Sequence, residues 1–269
     1  MSVLLSFGHG YSAQALERLL DGWEVIGTHR SRDVIWPGSD MRPYLDRATH
    51  LLISPAPGPD GDPVLAELRE EIASRAFEWV GYLSTTGVYG DRSGDWVDES
   101  ADLTPSTKRG IARVKAEAAW AALDLPLHIF RLAGIYGPGR GPFAKVRAGT
   151  ARRIIKEGQV FSRIHVDDIA QVLKASIERP NPGASYNVCD NDPQPPEVVI
   201  EEAARLLGKP IPEAVDFETA EMTPMARSFY AESKRVDNRR IREELGVVLK
   251  YPDYKTGLKA VLDQERDPG

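Results

Sequence analysis

The chain has 269 residues, of which 42% are hydrophobic and 28% charged, and 34 Lys and Arg against 40 Asp and Glu give a net charge of −6 at pH 7. That is the composition of an ordinary globular protein with room for one large or two associated domains. Its mild acidity gives no footing for nucleic acid or an anionic membrane as a partner.

The first apolar run, Val3 to Phe7, reads as a buried strand and is too short for a signal segment or membrane anchor, so a cytoplasmic protein is expected. It runs into Gly8-His9-Gly10-Tyr11-Ser12-Ala13, a Gly-x-Gly-x-x-Ala turn at the start of a helical pattern with apolar residues at 15, 16, 19 and 20. Gly8 permits a tight reversal, Gly10 lets backbone approach a pyrophosphate, and Ala13 lets the helix pack on the strand. Tyr11 and Ser12 lie in the first turn, where a helix N-terminus offers unpaired N–H groups to phosphate. The same pattern also serves packing alone, but its place directly after a strand at the head of a strand–helix–strand unit points to a bound dinucleotide.

A second strand, Glu24 to Thr28, ends in His29-Arg30-Ser31-Arg32, with Asp33 only later. An acidic residue at that strand end would bond a ribose 2′-hydroxyl, whereas arginine accommodates a 2′-phosphate. Arg30 therefore favours NADP over NAD, against the plainer reading of a solvated basic loop. His50 to Ser54 is the next buried strand and leads into Pro55-Ala56-Pro57, placing Ser54 and Pro55 at a strand end. Asp62-Pro63 starts a helix, with Asp capping and Pro at the first helical position, that runs to about Arg75. Trp79 to Leu83 is a strand, 90–105 a polar loop, Arg109 to Leu123 a helix and Leu127 to Leu132 another strand. Strands alternating with helices in this way predict an α/β fold, a doubly wound parallel sheet with ligands at the carboxyl ends of its strands. Beyond residue 190 the texture changes. Pro193, Pro195 and Pro196 precede a helix over 197–207, a proline-punctuated stretch follows to Pro224, and a last helix ends near Gly246. This predicts a small, mainly helical C-terminal lobe. Cys189 is the only cysteine, which excludes an intramolecular disulfide or a cysteine metal cluster, and its place after Tyr186-Asn187-Val188 suits packing.

Leu83-Ser84-Thr85-Thr86-Gly87-Val88-Tyr89-Gly90, taken with the glycine turn, resembles the extended short-chain dehydrogenase/reductases, the NAD(P)-dependent epimerase/dehydratase branch. Arg131 to Gly139, Ile164 to Ala170 and Gly183 to Val188 resemble further segments of that family in the same order, so the resemblance spans the chain. It implies a Rossmann domain over 1–134 and 161–189 and a substrate lobe over 135–160 and 190–269. It also implies that Thr85, four residues before Tyr89, bonds the reacting oxygen. The family's Tyr-x-x-x-Lys motif aligns best on Lys115, which would hold the nicotinamide ribose, but Ile111 stands where the tyrosine belongs. Lys115 is thus either a ribose contact or a solvated helix residue. Tyr89, Tyr136 and His165 are the candidate substitute acids, each with a structural reading beside it.

Asp167-Asp168 reads as a helix cap and a loop fastener rather than a metal site, and no metal is expected. Arg152, Arg153 and Arg163 leave room for an anionic substrate. Two functions stand. One is an NADP-dependent epimerase/dehydratase-like protein or oxidoreductase acting on a small polar, sugar-like substrate. The other is an NADP-binding regulatory protein without hydride chemistry. A small-molecule partner is expected, with a homodimer compatible and no nucleic acid or membrane.

Overall fold

The computed structural model describes residues 1–266. Its N-terminal part runs β1 (Val3–Phe7), α1 (Tyr11–Glu17), β2 (Glu24–His29), β3 (Val34–Ile35), α2 (Arg42–Leu45), β4 (His50–Ile53), α3 (Pro63–Ala73) and β5 (Trp79–Thr85). There follow β6 (Trp96–Val97), α4 (Lys108–Ala121), β7 (Leu127–Leu132), β8 (Gly134–Tyr136), α5 (Phe143–Arg147), β9 (Arg153–Ile155), β10 (Arg163–His165), α6 (Val166–Glu178) and β11 (Ser185–Val188). The rest comprises α7 (Pro196–Leu206), β12 (Ala214–Asp216), α8 (Pro224–Phe229), β13 (Arg235–Val236), α9 (Arg239–Glu243) and α10 (Tyr254–Arg266).

Seven strands form one parallel sheet in the order β11-β7-β5-β4-β1-β2-β3. Leu5 of β1 lies opposite Ile26 of β2 on one side and Leu51 of β4 on the other. Every residue of β1, β4 and β7 is buried, as expected of parallel strands covered on both faces. Ala13 and Leu16 of α1 and Ile169 and Leu173 of α6 fill the core on one face. Leu65 and Ile72 of α3 and Ala116 and Trp120 of α4 fill it on the other. A third core joins Tyr136 and Phe143 to Ala203 of α7 and Leu258 and Leu262 of α10. It belongs to the lobe, whose short strands pair in parallel as β8 with β10 and β9 with β12. The chain order reverses direction between β4 and β1, which opens a crevice at their carboxyl ends.

The helix begun at Asp62 is capped as its sequence predicts, with the carboxylate accepting from the Val64 and Leu65 N–H groups. α6 is not. Its cap is His165, whose Nδ1 accepts from Asp167 N, while Asp168 accepts from the backbone N–H groups of Lys250 and Tyr251. Of the two roles expected for the aspartate pair, loop fastening falls to Asp168 and capping to the preceding histidine. No helix among the described residues is long and apolar enough to cross a membrane.

Candidate functional site

A cleft of about 800 Å³ opens at the carboxyl ends of β1, β4, β5 and β7, between the sheet and the lobe. Gly8, Gly10, Tyr11, Ser12 and Ala13 form one end of it. Gly8 holds φ at +68°, a left-handed conformation that favours glycine. A Cβ there would also approach the Pro55 ring to 3.1 Å. Pro55 thus packs beneath the turn, and its neighbours Ser54, Ala56 and Pro57 line the cleft instead. Gly10 differs: a Cβ on it would meet only Gly8 O, at 3.7 Å. The protein does not need glycine there for its own packing, so the vacant volume belongs to whatever enters the cleft. Gly10 begins α1 with no side-chain cap, which leaves first-turn N–H groups for a ligand. Ser54 Oγ is buried with no hydrogen-bond partner among the described residues. Tyr11 donates its hydroxyl to Pro138 O at 2.9 Å, and burial pushes its pKa up to about 12. These features fit the diphosphate and ribose of a dinucleotide.

The far end of the cleft is built by β5 and α4. Thr85 ends β5, lines the cleft, and accepts from Gly87 N at 3.2 Å. Thr107 caps α4 by accepting from Gly110 N at 3.1 Å. A Cβ on Gly110 would lie 2.6 Å from Gly87 O, so glycine lets the helix press against the turn after β5. This contact sets the helix phase. Arg109, Gly110 and Arg113 face the cleft, while Ile111 is 42% exposed and Lys115 is exposed outside it. Lys115, expected at the ribose, is two residues from Arg113, about 200° around a helix, so the two cannot share a face. The i, i+4 pair in the cleft is Arg109 and Arg113, which the sequence reading missed. The one available signal was that Arg109 and Arg113 carry the spacing of the resembled motif.

Other expected residues fall in several places. Arg30 is exposed just beyond β2 and does not line the cleft. Tyr89 is buried away from it, donating to Asn187 Oδ1 at 2.7 Å and accepting from Arg131 Nη1 at 2.9 Å. Arg131 is fixed in turn by a buried ion pair with Glu117 at 2.9 Å, and burial pushes Tyr89 up to about 12. His165 is fully buried, and burial holds it down to about 4. Tyr136 lines the cleft, but its hydroxyl is buried without a hydrogen-bond partner among the described residues, and burial raises its pKa strongly. Of the three, Tyr136 alone lines the cleft. Arg152 donates to Glu221 O and Arg153 pairs with Glu201, whereas Arg163 does line the cleft. Cys189 is fully buried with Sγ 3.1 Å from Val236 O.

No family model matches the chain. It is 60% identical to a functionally unknown conserved protein of Silicibacter pomeroyi DSS, with TM-score 0.95 over 98% of this chain and 99% of that one. It is 27% identical to Protein YeeZ of Escherichia coli over 86% of this chain and 89% of the relative. A protein of Methylobacillus flagellatus assigned as an NAD-dependent epimerase/dehydratase is 25% identical, with TM-score 0.74 and 99% of both chains covered. The fold is shared, at TM-score 0.78, by human SDR39U1 solved with NADPH, 19% identical, and by MoeE5 solved with UDP-glucose and NAD, 20% identical; at least 98% of each chain is covered. The turn, the sheet order and these relatives agree on the architecture: the chain has the Rossmann-like fold that NAD-dependent epimerase/dehydratase proteins share.

Proposed function

We propose that the cleft binds a nicotinamide dinucleotide, preferentially NADP, and that the protein acts with it on a small polar substrate. The observation that carries this reading is Gly10, whose missing side chain leaves protein-free space at the head of α1, on the same cleft as Thr85. Gly8, Gly10, Tyr11, Ser12, Ala13 and Ser54 hold the diphosphate and adenosine side. Arg30, exposed beyond β2 and without an ion pair among the described residues, receives the 2′-phosphate. Thr85 positions the oxygen of the reacting carbon. A bound nicotinamide supplies hydride transfer. Lys115, pointing to solvent, has no part in the site.

A second reading is favoured by α4, whose cleft face presents arginines that stay protonated near neutral pH. On that reading the dinucleotide is held without turnover and its occupancy regulates a partner. One experiment separates the two. The melting temperature is measured with NADP and NAD, and NADPH oxidation is followed across a panel of aldehydes and ketones. A larger shift with NADP together with turnover supports the enzyme, and a shift without turnover supports the regulator. No shift with either nucleotide overturns both.

A further inference from the structure

The residues lining the cleft that are charged at neutral pH are sharply unbalanced. They comprise Arg109, Arg113, Arg140, Arg163 and Lys234 against the single carboxylate of Glu232. Glu232 is taken, pairing with Lys234 at 2.8 Å, and the same ammonium donates to Gly90 O at 2.6 Å. Among the described residues, none of the four arginines has a carboxylate within ion-pair distance. Their surroundings differ in a way that assigns them separate jobs. Arg163 donates to Phe161 O at 2.9 Å and Gln194 O at 3.0 Å, which makes it a strut of the lobe. Arg140 lies over the Tyr11 ring, 5.8 Å from its centroid, beside the glycine turn.

Arg109 and Arg113 remain, on one face of α4 beside Thr85. Arg113 spends only Nη1 on protein, donating to Leu83 O at 2.6 Å and the Tyr82 hydroxyl at 3.0 Å. Those two bonds fix its plane and leave Nε and Nη2 without a partner among the described residues. Arg109 makes no side-chain hydrogen bond among the described residues; its guanidinium rests on the Phe229 ring from the opposite wall, 4.5 Å from the centroid. Two guanidinium groups with donors unspent, one of them exposed, in a cleft with no spare carboxylate, present a positive field to an incoming anion. Their flat forks match the paired oxygens of a carboxylate or phosphate.

We infer that Arg109 and Arg113 are the specificity-determining residues for an oxyanionic group on the substrate, so that the substrate of this cleft is an acid. This rests on the reading of the cleft as a dinucleotide and substrate site, in which the cofactor's own diphosphate lies at the Gly8–Ala13 turn.

The test uses the full chain saturated with NADP, so that the diphosphate site is filled, and titrates it with inorganic phosphate, with succinate and with uncharged succinamide by calorimetry. Phosphate or succinate binds and succinamide does not, and whichever anion is tighter names the group. Arg109→Gln and Arg113→Gln each weaken that binding about tenfold or more, the loss expected for a hydrogen bond to a charged group. The surface control Arg152→Gln leaves it unchanged. Because Arg109 is exposed and makes no side-chain hydrogen bond among the described residues, Arg109→Gln keeps its fold, which retention of the NADP-induced melting shift verifies. The inference is overturned if neither anion binds the NADP complex, or if binding survives both substitutions together. If NADP itself produces no melting shift, the reading under Proposed function fails. The same titrations on the free protein then decide whether the arginine pair takes an anion.

Discussion

At Gly10 the protein's requirements and the ligand's come apart. Its φ of −106° suits any residue, and a Cβ would meet nothing closer than Gly8 O at 3.7 Å. Gly10→Val should therefore leave the melting temperature of the free protein nearly unchanged while abolishing calorimetric binding of NADP and NAD. A variant that still binds either would show the turn to be a packing device. Arg30→Asp should weaken NADP about 10- to 100-fold, the loss of a charge-assisted hydrogen bond, with NAD little affected, as titration of both nucleotides would show.

Asp190 supplies a test through pH. It is almost fully buried, and burial pushes its carboxyl up to about 8 from an ordinary 3.8. Between those values the folded protein holds a proton that the unfolded chain has lost, so this group makes stability fall as pH rises from about 4 to about 8. His165, held down to about 4, acts oppositely, but only up to its ordinary 6.5. Asp168, raised to about 6, has finished titrating by then as well. From pH 6.5 to 8 the fall belongs to Asp190. In Asp190→Asn, urea unfolding at several pH values across that window should show a flatter profile than in the parent.

α4 shows at the scale of an element what can be read from sequence and what cannot. Its existence and its start are legible, since Thr107 caps it and a 14-residue run follows without proline. Its phase is not. Apolar Ile111 would be expected inward, yet the close approach of Gly110 to Gly87 and the buried Glu117 turn the helix so that Ile111 faces out. Glu117 is the anchor of that phase, paired with Arg131 and bonded by the Ser84 hydroxyl. Glu117→Leu leaves the Arg131 charge buried without its partner and should cost about 3–5 kcal/mol in chemical denaturation. By contrast, β1, β4 and β7 were readable because strands buried on both faces are predominantly apolar, Ser6, His50, His128 and Arg131 being their only polar residues. The two-residue pair β6 and β13 was not, since its partners lie far apart in sequence and neither carries a strand pattern of its own. The candidate site divides similarly. The glycine turn and Thr85 follow strands that announce themselves, whereas the arginine pair depends on a tertiary contact.

For the whole molecule, residues of both sheet and lobe line the cleft, so a dinucleotide bound there would tie the two together. Dinucleotide at a hundred times its dissociation constant should raise global stability by about 2.7 kcal/mol. The gain should appear in denaturant titrations of the parent and vanish in Gly10→Val. The wall that carries Phe229 and Glu232 is fastened to distant parts of the chain. Ser233 N donates to Asp91 Oδ1, 142 positions away, and β13 pairs with β6. Translation at about 5–20 residues per second places roughly 7–28 s between the emergence of those two anchors. The glycine turn thus leaves the ribosome long before its opposite wall exists. A nascent chain holds only half of the cleft, and the complete cleft is among the last features the protein acquires during its synthesis.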